Sequence, residues 1–134
     1  MARIHVEVVT PERRLLQVEA DEVIAPGALG LFGVRPGHAP FLSLVEPGLL
    51  TVSEGGKLHK YFVCGGFVQV SQTSVRVLAD SAEAADAIDT AAAKKRIAEA
   101  EARLQNLSPA DSKVALERET IRRENKRLEI AAKH

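Results

Sequence analysis

Hydrophobic positions in the first 81 residues recur with a period of two. Ile4, Val6 and Val8 alternate with His5 and Glu7, as in a strand with one buried face. Similar pairs follow at Leu16 and Val18, Leu42 and Leu44, Leu50 and Val52, Val68 and Val70, and Val75 and Val77. Turn formers separate them: Thr10-Pro11, Pro26-Gly27, Pro36-Gly37, Glu46-Pro47-Gly48, Gly55-Gly56 and Gly65-Gly66. A Gly-Gly pair between two such runs supplies the positive φ angles of a tight hairpin. Short strands at this spacing predict an antiparallel sandwich or barrel, and the lack of helical periods here excludes a parallel βαβ nucleotide-binding fold.

After Ser81 the period changes to that of a helix. Ala93, Ile97, Ala100, Leu104 and Leu107 fall on one stripe, and Val114, Ile121 and Leu128 recur at every seventh position. Between these segments, Ser108 is expected to cap a second helix, with Pro109 in its first turn and Asp111 at the capping-box position. The short connection predicts an antiparallel hairpin. The expected fold is therefore α+β: an N-terminal antiparallel β-sandwich or barrel over residues 1–84, then a C-terminal antiparallel two-helix hairpin over residues 85–134. Few large side chains line the hairpin seam, and alanine contributes about one methyl each, so burial there is small. Isolated helices of this length are marginal in water. A solvated hairpin and a conformational switch both fit that pattern.

Composition sharpens the division. All nine glycines and all five aromatic residues precede residue 82, whereas the following 53 residues hold 14 alanines. The net charge is +0, the sum of −1 over residues 1–81 (7 basic, 8 acidic) and +1 over residues 82–134 (11 basic, 10 acidic). No global field steers the chain to nucleic acid or to an anionic membrane. One cysteine, Cys64, excludes an internal disulfide and suits a reducing compartment. The start, Met1-Ala2-Arg3-Ile4-His5, carries charge and alternation together and predicts no signal or transit peptide. No apolar run approaches the roughly 20 residues that span a bilayer.

Catalytic chemistry is scarce. His5, His38, His59 and His134 are scattered, and Cys64 reads as a packed strand residue. The glycine-rich stretch from Pro26 to Pro40 has neither the P-loop ending nor the dinucleotide-binding spacing. Neither a metal site nor a catalytic residue is expected. The one charged constellation is on the last helix, where Arg118, Arg122 and Lys126 follow one i,i+4 row and Arg123 and Arg127 the next. Glu119 is placed to pair with Arg123. A solvated face, a ridge that meets an acidic protein surface and a nucleic-acid or protein adaptor all remain open, although the tail has no aromatic side chain to stack on bases.

The strings Gly30-Leu31-Phe32-Gly33-Val34-Arg35-Pro36-Gly37-His38-Ala39-Pro40, Pro47-Gly48 and Gly65-Gly66-Phe67-Val68-Gln69-Val70 resemble the epsilon subunit of the bacterial F-type ATP synthase. Val8-Val9-Thr10-Pro11 and Val75-Arg76-Val77-Leu78-Ala79-Asp80 belong to the same pattern, and the resemblance spans essentially the whole chain. It implies a non-catalytic rotor subunit of the central stalk, peripheral on the cytoplasmic face of the bacterial inner membrane. The implied partners are the gamma subunit, the c-ring and the alpha and beta subunits, with no nucleic acid and no membrane insertion. The sandwich would join gamma to the c-ring, and the hairpin would fold down or extend to restrain ATP hydrolysis. By the same resemblance Gly30, Leu31, Phe32 and Gly33 face the c-ring, and His38 lies near gamma. Leu31 stands where some relatives carry Glu, which counts against an ion-pair contact. Arg118, Arg122, Arg123, Lys126 and Arg127 match helix positions that meet acidic groups on beta or alpha.

Some relatives bind ATP through a motif of Ile or Leu, Asp, two variable residues, Arg and Ala. Here Ile88-Asp89-Thr90-Ala91-Ala92-Ala93 stands in its place, with Ala92 for the arginine and Glu99 for a second one. Glu83, Ile88, Asp89, Arg122 and Lys126 are the fragments of such a site. Losing one phosphate-binding cation and gaining a like charge predicts weak ATP binding or none, and so no cofactor.

Overall fold

A computed structural model describes residues 2–133 of the chain. It divides into two compact units with the boundary after Ala84. Eight strands form the first: β1 (Ile4–Val9), β2 (Arg14–Ala20), β3 (Glu22–Gly27), β4 (Gly30–Val34), β5 (Phe41–Leu44), β6 (Gly48–Glu54), β7 (Lys57–Val70) and β8 (Ser74–Ala84). Helices α1 (Thr90–Gln105) and α2 (Lys113–Lys133) form the second, after a short 3-10 turn at Ala85–Ala87.

Hydrogen bonding runs in the order β2-β1-β8-β7-β6-β3-β4, with β5 on a second edge of β7. All pairs are antiparallel except β1 with β8. The sheet folds over itself because β7 and β8 serve both layers. The first half of β7 pairs with β6 from Lys57 to Val63, and its second half pairs with β5 from Phe67 to Val70. Between the layers lies one apolar core: Ile4, Val6 and Val8 of β1, Val23 of β3, Leu50 and Val52 of β6, Val68 of β7, and Val75 and Val77 of β8 are fully buried. Apart from β5, the period-two pairs therefore point where alternation places them. This is the sandwich of the sequence pattern.

Three local expectations change. Gly55 and Gly56 do turn the β6–β7 hairpin, with φ of 55° and 88°. Gly65 and Gly66 do not turn a hairpin, because they lie inside β7. Their φ angles of 75° and 87° mark the corner where β7 passes from one layer to the other. A Cβ on Gly66 would run into the Leu78 carbonyl oxygen of β8, so the close approach of two backbones at the corner selects glycine. Leu42 and Leu44, expected on a buried face, are 65% and 66% exposed, because β5 turns Phe41 and Ser43 inward instead.

The third correction lies in the helical unit. Ser108 and Pro109 do not begin α2. They form a separate turn, closed by the Asp111 N–H donating to the Ser108 carbonyl at 2.9 Å. Asp111 then caps α2, its Oδ1 accepting from the Lys113 N–H at 2.8 Å. The connection is thus longer than a direct Ser-Pro start would make it. The helices pack against each other as a hairpin, with Ala93, Ala100 and Ile130 as their buried apolar residues.

Candidate functional site

On the sandwich, β3 and β4 are joined by Ala28 and Leu29, which close a tight turn between the paired Gly27 and Gly30. Leu29 projects fully into solvent. Beside it, β5 is held to β7 on one side only, so its outer edge and the outward faces of β4 and β5 are open. They enclose a shallow hollow of about 490 Å³, lined by Gly30, Leu31, Phe32 and His38 together with Leu42 and Leu44. Phe32 stands edge-on to Phe41 with ring centroids 5.1 Å apart, and the His38 ring lies 5.2 Å from the same phenyl ring. A 2.7 Å hydrogen bond between His38 Nδ1 and the Ala39 carbonyl fixes the imidazole. Nothing in this hollow is arranged for catalysis. It is an apolar surface of leucines around one histidine, the composition of a protein contact.

Of the residues assigned to this contact from the sequence, four come together and one does not. Gly33 lies outside the hollow, and its nearest neighbour across β3 is Glu22, which accepts a 3.0 Å hydrogen bond from Arg35 Nε. Leu42, Leu44 and Leu29 were missed. The signal was present: a four-residue strand between Pro40 and Pro47 with leucine at alternate positions has two possible inward faces, and only the ladder to β7 decides between them.

In the helical unit the basic row is engaged from within. Glu119 pairs with Arg122 at 3.2 Å and not with Arg123, because i,i+3 geometry brings the former closer. Lys126 reaches Glu129 at 3.4 Å, and Lys133 reaches the same carboxylate. These two ammonium groups hold the Glu129 carboxyl below its ordinary value, Lys126 mainly by charge and Lys133 mainly by its hydrogen bond. Arg123 and Arg127 turn inward to Glu124, whose carboxylate is 1% exposed. Across the seam, Arg96 of α1 reaches Glu124 at 3.2 Å, and Arg103 reaches Glu117 at 2.9 Å. The hydrogen bond from Glu117 raises the Arg103 pKa further. Arg118 is exposed. A buried glutamate at the centre of the arginines is the feature that row counting did not find.

The fragments of a nucleotide site are likewise occupied by structural tasks. Asp89 is the N-cap of α1, its Oδ1 accepting from the Ala92 N–H at 2.9 Å. Ile88 precedes this cap, and Glu99 lies exposed on α1. Arg122 and Lys126 carry the α2 carboxylate partners described above. Glu83 belongs to β8, in the other unit. Among the described residues no group of three or more His, Cys, Asp or Glu side chains is placed to hold a metal ion, and no helix is long and apolar enough to cross a membrane.

Residues 3–85 match the family model described as ATP synthase, Delta/Epsilon chain, beta-sandwich domain. Similarity to individual proteins extends through the hairpin as well. The chain is 54% identical over 131 residues to the ATP synthase epsilon chain of Myxococcus xanthus, covering 98% of this chain and 96% of that protein. It is 48% identical over 127 residues to the ATP synthase epsilon chain of Anaeromyxobacter dehalogenans, covering 95% and 96% respectively. A chain in the Euglena gracilis mitochondrial ATP synthase, solved as OSCP, F1 and c-ring in one rotational state, superposes with a TM-score of 0.84 at 27% identity over 100% of this chain and 83% of that one. A chain from the central stalk and c-ring of the Tetrahymena thermophila enzyme shares the fold with a TM-score of 0.60 at 14% identity. The chain belongs to the ATP synthase epsilon chain family.

Proposed function

We propose that this chain is a non-catalytic subunit of the bacterial ATP synthase rotor, in which the sandwich joins the gamma subunit to the c-ring and the hairpin regulates ATP hydrolysis. The single observation that carries the reading is the near full-length identity to epsilon chains, which includes the hairpin and not the sandwich alone. The leucine-lined hollow around His38 supports it, since it offers apolar contact where a partner protein would seat. In this reading Gly30, Leu31 and Phe32 face the c-ring through apolar contact and His38 faces gamma. Gly33 supports the β3–β4 ladder instead. The subunit sits peripherally at the cytoplasmic face of the membrane and takes no cofactor. ATP binds weakly or not at all, because Ala92 and Glu99 replace cations and Asp89 is committed to its cap.

The regulatory part follows from the poverty of the hairpin seam. A helix pair that buries two alanines and one isoleucine leaves α1 and α2 held mainly by ion pairs, so a partner surface of comparable strength can part them. The test is reconstitution of F1 with the full chain or with residues 85–134 deleted, followed by measurement of ATP hydrolysis. The truncated subunit is expected to co-purify with gamma and to raise the rate several-fold. An unchanged rate refutes the regulatory role, and loss of the complex with gamma refutes the assignment of that contact to the sandwich.

A further inference from the structure

The seam between α1 and α2 is written in charge. Arg96 Nη1 donates to Glu124 Oε1 at 3.2 Å, and Arg103 Nε donates to Glu117 Oε1 at 2.9 Å. On each helix the two partners are seven residues apart and run in opposite directions, Arg96 with Glu124 and Arg103 with Glu117. Two bridges two turns apart therefore fix one antiparallel register, which a seam of alanines would specify poorly. The bridge at Glu124 is unlike the other. Its carboxylate is 1% exposed, accepts from Arg123 Nε on Oε2 at 3.2 Å, and lies 3.6 Å from Arg127 Nη1. Three guanidinium groups surround one carboxylate, more cation than its own neutralisation requires.

We propose that Glu124 is an internal stand-in for the carboxylates of an acidic protein partner. The proposal rests on the reading of the hairpin as a regulatory element that opens. While the helices are closed, Glu124 holds Arg96, Arg123 and Arg127 on itself, in a low-dielectric site where the attraction is strong. When α1 leaves α2, Arg96 leaves with it and Glu124 meets water. Its hold on Arg123 and Arg127 then falls to that of a surface pair, which solvent screens. Two planar, fork-shaped donors on α2 are released together with the exposed Arg118, and they suit a carboxylate-bearing helix or loop. Closure thus conceals the ridge and opening displays it, so the conformational state and the availability of the binding surface are set by one side chain.

The full-length chain tests this with two readouts: amide hydrogen exchange in α1 and α2, and fluorescence anisotropy of labelled poly-L-glutamate at low salt. Glu124→Gln keeps the shape and removes the charge. It is expected to speed exchange in both helices at least tenfold while leaving the β-strand amides unchanged, and to tighten poly-glutamate binding at least fivefold. Adding Arg123→Gln and Arg127→Gln to that variant should abolish the gain in binding. Arg96→Met cuts only the cross-helix arm, so it keeps the test open if Glu124→Gln fails to fold, and it should speed exchange with a smaller gain in binding. Faster exchange without tighter binding in both variants overturns the stand-in role. Unchanged exchange overturns the clasp. Deleting residues 85–134 reads the regulatory function alone: an unchanged hydrolysis rate there strikes that function and leaves these two readouts standing, whereas unchanged exchange and binding strike the clasp even if hydrolysis rises on truncation.

Discussion

The sandwich and the hairpin solve the same problem with opposite materials. In the sandwich, fully buried Ile4, Val6, Val8, Leu50, Val52, Val68, Val75 and Val77 come from strands far apart in sequence. Each contributes roughly 1.5–3 kcal/mol of burial, and removing one is felt by both layers. The hairpin buries Ala93, Ala100 and Ile130, adds a buried glutamate, and closes with ion pairs from a neighbouring helix. Apolar burial is non-directional and hard to trade for a partner's surface. A carboxylate ringed by arginines is directional, and an acidic partner offers the same chemistry. The contrast teaches where rigidity and exchangeability are placed in a subunit proposed to be both anchor and switch.

The largest effect that could break this comparison comes from truncating equivalent apolar residues in the two units. Leu50→Ala opens a cavity between the layers and is expected to cost about 2–5 kcal/mol. Ile121→Ala, on the half-exposed heptad stripe of α2, is expected to cost about 1 kcal/mol, since its side chain is only partly withdrawn from water. Urea unfolding followed by hydrogen exchange in each unit reads both. Equal costs would show that the hairpin has an apolar core as demanding as the sandwich, and the distinction drawn above would fail.

Much of this architecture was legible in the chain, and the failures have definite causes. Alternation located seven of the eight strands, because burial between two layers imposes a period of two on Ile4, Val6 and Val8 and on Val75 and Val77. It could not say which face of β5 is inward, since Phe41 and Ser43 alternate as well as Leu42 and Leu44 do, and that choice belongs to β7 across the ladder. Gly65-Gly66 has the local signature of a turn, but the positive φ angles serve a layer corner whose need arises only when Leu78 of β8 lies against it. Ser108-Pro109 matches a helix start, yet Asp111 lies nearer to the first helical N–H groups and takes the cap. Glu124 looks like one more solvated charge until α1 is laid beside it. A signal was available there: arginines at 96 and 103 and glutamates at 117 and 124 mirror each other about residue 110, and a hairpin turn at that point makes them meet.

A smaller perturbation sharpens the same comparison at the entrance to the hairpin. Asp89 accepts from the Ala92 N–H and closes the first turn of α1, which has no other acidic residue. Asp89→Ala is expected to destabilise the hairpin by about 1 kcal/mol, with faster exchange confined to the first turns of α1 and no change in the strands. Calorimetry should in addition give the same negligible ATP binding for wild type and variant. If Asp89→Ala abolished a measurable ATP affinity while leaving helix protection unchanged, the residue would be a ligand group and not a cap.

The smallest effect concerns pH and isolates the exposed part of the hairpin's charge from its buried part. Lys126 and Lys133 lower the pKa of Glu129 from its ordinary 4.5, so the carboxylate is favoured in the folded helix relative to the unfolded chain. The sign follows directly: a depressed folded pKa gives stability that is fully present above 4.5 and is lost as pH falls through the lower folded value. Both lysines and the glutamate are solvent-exposed, so salt screens the contribution and it stays below that of the Asp89 cap. Wild type and Glu129→Gln should differ slightly in helix melting at neutral pH and low salt, and should converge on acidification below 4.5 or on raising the salt. A difference that persists in acid and in high salt would mean that Glu129 acts through packing. The hairpin's exposed ion pairs would then be more than a screened fringe around the clasp at Glu124.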